Sequence, residues 1–336
     1  MNSKMNKVRV LVSVFPFLFF LLSCGISPLG GPTPVALFSP TAPAAPLPAP
    51  DMHLVAMDYP RLDGSTSALP LQVLLACKIL DVSCIWGPPL FWERRISPVV
   101  SSAPLESVEK VLDISHHGTH DAYVNLIENR TDFILVARVP SADELELALA
   151  ADVELDVRPV ALDAFVFLAH KDNSVETLTP DQVRGVYSGA ITVWQAVGGQ
   201  AGEITAYQRN PNSGSQELMD DLVMRGTPMI EAPDMILETM IGPINAIHDD
   251  PLGLGYSVFY YATFMLPDEN IKLLGVGGVV PTSETITSSS YPLVTGVYAV
   301  LRVDSPSDSG AVLLRDWLFS EAGQAVVKES GYVPIR

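Results

Sequence analysis

One local theme recurs along this chain and limits what it can fold into. An apolar run of strand character leads into a short polar loop, and the loop leads into a run with helical spacing. Tyr59-Pro60-Arg61-Leu62 leads through Asp63-Gly64-Ser65-Thr66-Ser67 to Leu71, Leu74, Leu75 and Ile79. Here Ser67 is the expected N-cap, and Pro70 is tolerable in the first turn. Val111-Leu112-Asp113-Ile114 is read as a second strand, leading through His116-His117-Gly118-Thr119 to a helix face of Tyr123, Leu126 and Ile127. Thr119 or Gly118 starts that helix. A third strand, Phe133-Ile134-Leu135-Val136-Ala137, ends at Arg138 ahead of an acidic helix with Leu145, Leu147 and Leu149. A fourth, Ile204-Thr205-Ala206-Tyr207, reaches Arg209-Asn210-Pro211-Asn212-Ser213-Gly214-Ser215-Gln216, followed by Leu218, Met219, Leu222 and Val223.

Alternation of this kind predicts an α/β fold with mixed, mostly parallel open sheets and ligands at the strand C-termini, where several helix N-termini converge. Each helix start offers unpaired N–H groups and a positive dipole end, and Ser or Thr hydroxyls add donors. One partly buried terminus contributes up to about 2 kcal/mol toward an anion. Two or three termini plus an arginine fork reach the roughly 8 kcal/mol that micromolar affinity requires. A single Ser/Thr-rich loop reads as plain helix capping; it is the joint occurrence that points to an oxyanion site.

The ends of the chain are different in kind. A short basic region ending at Arg9 precedes Val10–Leu22, which is apolar, short and interrupted by Pro16. That is the pattern of a signal peptide over residues 1–23. It closes on Leu21-Leu22-Ser23-Cys24-Gly25, which resembles a bacterial lipobox with Cys24 as the lipidated residue; the alternative is an ordinary secretory signal that contains a Cys. Residues 24–50 are rich in Pro, Ala, Ser and Thr, a composition suited to an extended tether rather than a core. The expected location is therefore the extracytoplasmic face of a cell membrane, held by lipid. Cys77 and Cys84 remain, in a compartment where a disulfide persists. Seven residues apart on one continuous helix they cannot meet, so bridged and free forms both stay open, the former requiring the helix to end near Leu80.

With 336 residues, 48% hydrophobic, a sizeable core is available, and a formal charge of −18 excludes nucleic acid as a partner. A small buried anion is not excluded, because screening over roughly 8 Å leaves the local donors in control. The segment His116-His117-Gly118-Thr119-His120-Asp121 packs imidazoles and carboxylate together, but it has no established metal-ligand spacing and reads as a solvated or hydrogen-bonding loop. No metal or cofactor is assigned. No Gly-x-Ser-x-Gly elbow or phosphate-cradling P-loop is present, Gly275-Val276-Gly277-Gly278 reads as a turn, and the chain is not expected to be an enzyme.

From about Tyr59 to Ile335 the chain resembles the phosphate-binding lipoproteins of ABC importers. The resemblance rests on Asp63-Gly64-Ser65-Thr66-Ser67, Leu178–Val183 with Tyr187–Trp194, Arg209–Gln216, Gly253–Tyr261, Gly323-Gln324 and Gly331-Tyr332-Val333-Pro334. It implies a two-lobed type-2 periplasmic-binding-protein fold with a hinge: lobe one from 51–162 and 278–336, lobe two from 163–277. It also implies a site built from Thr66 and Ser67, then Thr119, then Arg209, Ser213, Gly214 and Ser215, with Arg209 clamping two oxygens. The family's acid, which accepts the proton of hydrogen phosphate after the third strand, has no counterpart at Ala137-Arg138. Arg138 is read either as a second cationic donor or as a surface arginine at a strand end. The implied partners are inorganic phosphate or a related oxyanion and the membrane subunits of an importer, with the receptor a monomer. An adhesive or sensory lipoprotein that kept the fold is the competing reading, with Trp194 and the Tyr260-Tyr261 pair as its surface; core packing is the other role open to those aromatics.

Overall fold

The computed structural model describes residues 58–87, 94–211 and 213–335. The segments read as signal peptide (1–23) and tether (24–50), with the lipidation candidate Cys24, lie outside the described residues. Among those described, no helix is long and apolar enough to cross a membrane.

Two short, continuously buried strands begin the sheet, the second apolar throughout and the first carrying Asp63 at its centre. Leu62–Gly64 and Phe133–Val136 are buried on both faces and pair in parallel, Leu62 opposite Phe133. Continuous burial is why these runs do not alternate. Val294–Arg302 lies antiparallel to Phe133–Val136 and, on its other side, to the strand Leu155–His170. This sixteen-residue strand organises the molecule. Up to Ala164 it pairs with Val294–Arg302; from Phe165 onward it pairs with Gly253–Val258 on one side and with Ile271–Val276 on the other. One strand is thus shared by two halves of the sheet, exchanging partners between Ala164 and Phe165. Thr205–Ala206 extends the second half, parallel to Gly253-Leu254.

The sheet is mixed, as expected, but every pairing along the long strand is antiparallel, and the parallel pairs lie away from it. Later segments return alongside the long strand in the opposite sense, so the simple strand-helix-strand crossover holds only toward the margins.

The helix Leu69–Ile79 buries Leu71, Leu74, Leu75 and Ile79 and carries Pro70 in its first turn. Its start corrects the expected cap. Ser65 precedes a 3-10 turn over Thr66–Ala68, which places Ser67 inside that turn, and the α-helix begins only at Leu69. The helix ends at Ile79, Asp81 takes a left-handed conformation (φ 54°), and Cys77 and Cys84 are joined by a disulfide with their Cα atoms 6.1 Å apart.

The expected strand at Val111–Ile114 is not one. Val111 and Leu112 close a helix, Leu105–Leu112, whose Val108 and Val111 face inward while Leu112 is exposed. Short apolar runs are ambiguous in period, and here the 108/111 spacing together with Glu106 early and Lys110 late favours the helix. The following segment runs beside the first strand, Ser115 N–H donating to Leu62 O and Gly118 N–H to Gly64 O. In the acidic helix Ala142–Ala150 it is Glu144 and Ala148 that are buried, whereas Leu149 is exposed. Trp194, Tyr260 and Tyr261 are fully buried, and Tyr260 stacks on Tyr332 with centroids 3.8 Å apart. These aromatics are core rather than an adhesive surface. Gly277 and Gly278, both at positive φ, form the expected turn.

Candidate functional site

The loops after the first strand, before the helix Thr119–Ile127, and after Gln208-Arg209 meet around one cleft of about 340 Å³. Its walls include Thr66, Ser67, Thr119, Arg209, Ser213, Gly214 and Ser215.

Each loop is fixed by a local cause. Gly64 lets the first strand approach its neighbour so closely that a Cβ there would lie 2.1 Å from Leu135 O, and Ser65 N–H donates to that same carbonyl at 3.0 Å. The Ser65 and Ser67 hydroxyls are 3.2 Å apart, and Tyr332 OH donates to Ser67 O at 2.9 Å. In the second loop Gly118 has φ 100°, a conformation that favours glycine, and acts as N-cap of the helix beginning at Thr119. Ala122 N–H is the first to reach back, to Gly118 O, so the N–H groups of Thr119, His120 and Asp121 stand at a helix start without intrahelical acceptors. In the third loop Ser213 Oγ accepts from Gln216 N–H at 3.2 Å and caps the helix Gly214–Leu218. The last two loops touch: a Cβ on Gly214 would stand 2.9 Å from Thr119 Oγ1.

Arg209 is 5% exposed. Its Nε donates to Leu237 O at 2.8 Å, Nη1 to Met240 Sδ at 3.3 Å, and Nη2 to Asn210 Oδ1 at 3.4 Å and Glu238 O at 3.5 Å. All four acceptors are neutral, and among the described residues no ion pair includes Arg209. Burial accordingly pulls its pKa down, the more distant Tyr256, Tyr261 and Glu238 only partly offsetting the effect. A desolvated guanidinium with no carboxylate in contact is an incomplete arrangement that an anion could complete.

Arg138 is neither of the things the sequence suggested. It is 3% exposed, so not a surface arginine, and it is not among the residues that line the cleft, where Ala137 stands instead. Its Nη1 and Nη2 donate to Glu144 Oε2 and Oε1, each at 2.8 Å, in a two-pronged buried ion pair. Burial alone would lower the Arg138 pKa, but the hydrogen bonds and charge of Glu144 outweigh it and raise the value. Glu144 is the residue that sequence reasoning missed. Its signal was present as a capping box, since Glu144 also accepts from Ser141 N–H at 2.9 Å.

The histidines part company. His117 Nδ1 is 2.8 Å from Asp63 Oδ2, His120 Nδ1 is 3.1 Å from Glu144 Oε1, and His116 is exposed. Met240 and Glu238 also line the cleft, about thirty residues beyond Arg209 and without a local motif to announce them.

Residues 104–322 match the PBP superfamily domain. The chain is 24% identical over 182 residues to the phosphate-binding protein PstS of Borreliella burgdorferi, an alignment covering 52% of this chain and 64% of that protein. It is 25% identical over 178 residues to PstS of Bacillus subtilis, covering 52% and 56%. It thus spans less than two thirds of the length of these relatives. Among solved structures, an ABC-type phosphate transport receptor from Vibrio cholerae superposes with a TM-score of 0.59 at 19% identity, covering 81% of this chain and 98% of the other. PstS from Borrelia burgdorferi gives 0.52 at 20% identity, covering 82% and 98%. With the domain matched over more than half of its length and its long strand shared between two halves of the sheet, the chain belongs to the PBP superfamily and has the two-lobed fold of that class.

Proposed function

We propose that the protein is an extracytoplasmic solute receptor, held to the membrane by lipid on Cys24, that captures inorganic phosphate and presents it to an ABC importer. The observation that carries the proposal is Arg209, buried, oriented by neutral acceptors and lacking a carboxylate, in a cleft shared with two other donor loops. The printed names of the relatives point the same way.

In this reading lobe one, residues 51–162 and 278–336, supplies Thr66, Ser67 and Thr119. Lobe two, residues 163–277, supplies Arg209 and Ser213–Ser215. The change of strand partners between Ala164 and Phe165 supports that division. Arg209 takes two ligand oxygens, hydroxyls and helix-start N–H groups take the rest, and an anion bridging both sides favours the closed form that an importer recognises. The ligand leaves unchanged, so no cofactor takes part. No carboxylate stands at Ala137 to accept a proton on the ligand; the acceptors that the cleft lining offers instead are Ser and Thr hydroxyl oxygens and the carboxylates of Asp121 and Glu238, and the sulfate titration reads whether any of them discriminates.

Calorimetric titration of the full chain, stripped of bound anion, with phosphate and then sulfate tests the proposal. Saturable phosphate binding that is lost in Arg209→Ala is the expected result. A folded protein giving no heat and no thermal shift with either anion rejects it.

A further inference from the structure

The acceptors that hold Arg209 are unequal, and one of them is chemically convertible. Met240 Sδ lies 3.3 Å from Arg209 Nη1 and 3.8 Å from Ser215 Oγ, on the wall of the cleft, in a side chain that is partly exposed. A thioether is a weak acceptor. Two donors of the anion site are therefore turned toward the poorest acceptor available to them, the sulfur of a partly exposed side chain. An oxygen placed on that sulfur would be a strong dipolar acceptor in contact with both donors.

We propose that Met240 is an oxidation site whose sulfoxide oxygen takes the Arg209 and Ser215 donors and closes the cleft to oxyanions, reversibly. The inference rests on the anion-site reading above. With hydrogen peroxide as oxidant, a sulfur lone pair attacks one peroxide oxygen, the S–O bond forms and the O–O bond breaks. The departing hydroxide takes the proton of the transferred oxygen and leaves as water. Sulfur loses two electrons and the peroxide gains them, while Arg209 keeps its charge. Reduction of a methionine sulfoxide by a sulfoxide reductase and a thiol restores the thioether.

Position sets this methionine apart from the others described. Met219, Met224 and Met265 are buried in the core. Met229 and Met235 are partly exposed but do not line the cleft, and Met229 Sδ accepts from Gln216 Nε2 instead. They serve as internal controls for general oxidation.

The test treats the full chain with hydrogen peroxide, locates added oxygen by peptide mass mapping and titrates phosphate before and after. Affinity is expected to fall at least about tenfold, the loss of one hydrogen bond to a charged group. The fall should track occupancy at Met240, and methionine sulfoxide reductase with dithiothreitol should restore binding. In Met240→Leu, whatever its starting affinity, the value before and after treatment should agree. Three results would each overturn the proposal: Met229 and Met235 oxidised while Met240 is not, Met240 oxidised with affinity intact, or Met240→Leu losing as much affinity as the wild type. If the untreated protein binds neither phosphate nor sulfate, the functional reading falls, and the present one is judged on the Arg209 side-chain nitrogen resonances. They should shift on oxidation in the wild type and stay fixed in Met240→Leu; unmoved resonances with oxygen on Met240 would overturn it.

Discussion

Arg138 and Arg209 are almost equally buried, at 3% and 5% exposure, and truncating each to alanine should produce opposite phenotypes. Arg138→Ala strips Glu144, itself fully buried, of two hydrogen bonds at 2.8 Å. Breaking a buried pair from one side costs about 3–5 kcal/mol. Glu144 keeps Ser141 N–H, and His120 Nδ1 remains within 3.1 Å, which places the loss near the lower end. At roughly 2–4 °C per kcal/mol for a domain of this size, a loss of about 3 kcal/mol lowers Tm by about 6–12 °C. Arg209→Ala breaks bonds to neutral acceptors only and removes an uncompensated buried charge, so its stability should stay within about 1 kcal/mol of wild type. Its phosphate affinity should drop by roughly 100- to 10,000-fold, corresponding to two hydrogen bonds from a charged donor. Urea denaturation followed by tryptophan fluorescence, with phosphate titration of each folded variant, separates the two. An Arg209→Ala protein that unfolds as early as Arg138→Ala, or an Arg138→Ala protein as stable as wild type, would refute the division of labour.

Asp163 is buried, its Oδ1 accepts from Ala164 N–H and Tyr260 N–H, its Oδ2 has no partner, and burial pushes its pKa up from 3.8 to about 7. The folded state therefore holds this proton more tightly than the unfolded state. Its contribution to stability is fully present below about pH 4 and is lost as pH rises toward 7, by an amount on the order of 4 kcal/mol. Urea midpoints measured from pH 4 to 8 should show a decline that Asp163→Asn flattens; parallel curves would contradict this. In Gly214→Ala the new Cβ meets Thr119 Oγ1 across the cleft, and overpacking of about 1–3 kcal/mol, borne by the closed form, should weaken phosphate by roughly 5- to 100-fold, while the unliganded protein escapes the clash by opening and keeps its Tm. Unchanged affinity would show that the two loops do not face each other when the ligand is bound. Removing the Cys77–Cys84 disulfide by paired Ser substitutions opens a short loop remote from the cleft lining, at a cost of about 2–3 kcal/mol, and should leave phosphate titrations unaltered.

How much of this was legible in the sequence depends on how local each cause is. Phe133–Val136 is apolar throughout and is a strand buried on both faces; Leu71, Leu74, Leu75 and Ile79 keep helical spacing and are all buried. Turn and cap chemistry marked the Ser/Thr-rich loops as helix starts, while Thr66, Ser67, Thr119, Arg209, Ser213, Gly214 and Ser215 could be named as a site only through the resemblance to phosphate-binding lipoproteins. Val111–Ile114 misled because a short apolar run has no period of its own. The direction in which Val294–Arg302 and Gly253–Val258 return along the long strand leaves no local trace, since antiparallel and parallel strands draw on the same residues. Met240 enters the cleft through tertiary packing, where sequence spacing has no authority.

The two arginines show why residue type alone could not have settled the site. Both follow strand-like runs, both precede loops with Ser and Pro, and both end up buried. What separates them is charge balance. Arg138 has a carboxylate within its own capping helix, so its charge is spent on holding the loop after the third strand to the helix that follows. Arg209 has carbonyls, an amide and a thioether, which fix the direction of the guanidinium without neutralising it. A chain with a formal charge of −18 has carboxylates to spare, yet none of its described ion pairs reaches that guanidinium. Among the described residues this guanidinium is buried and in no ion pair, which is what the proposed capture of an anion from outside requires, and the net charge, screened within roughly 8 Å, does not oppose such an anion's entry.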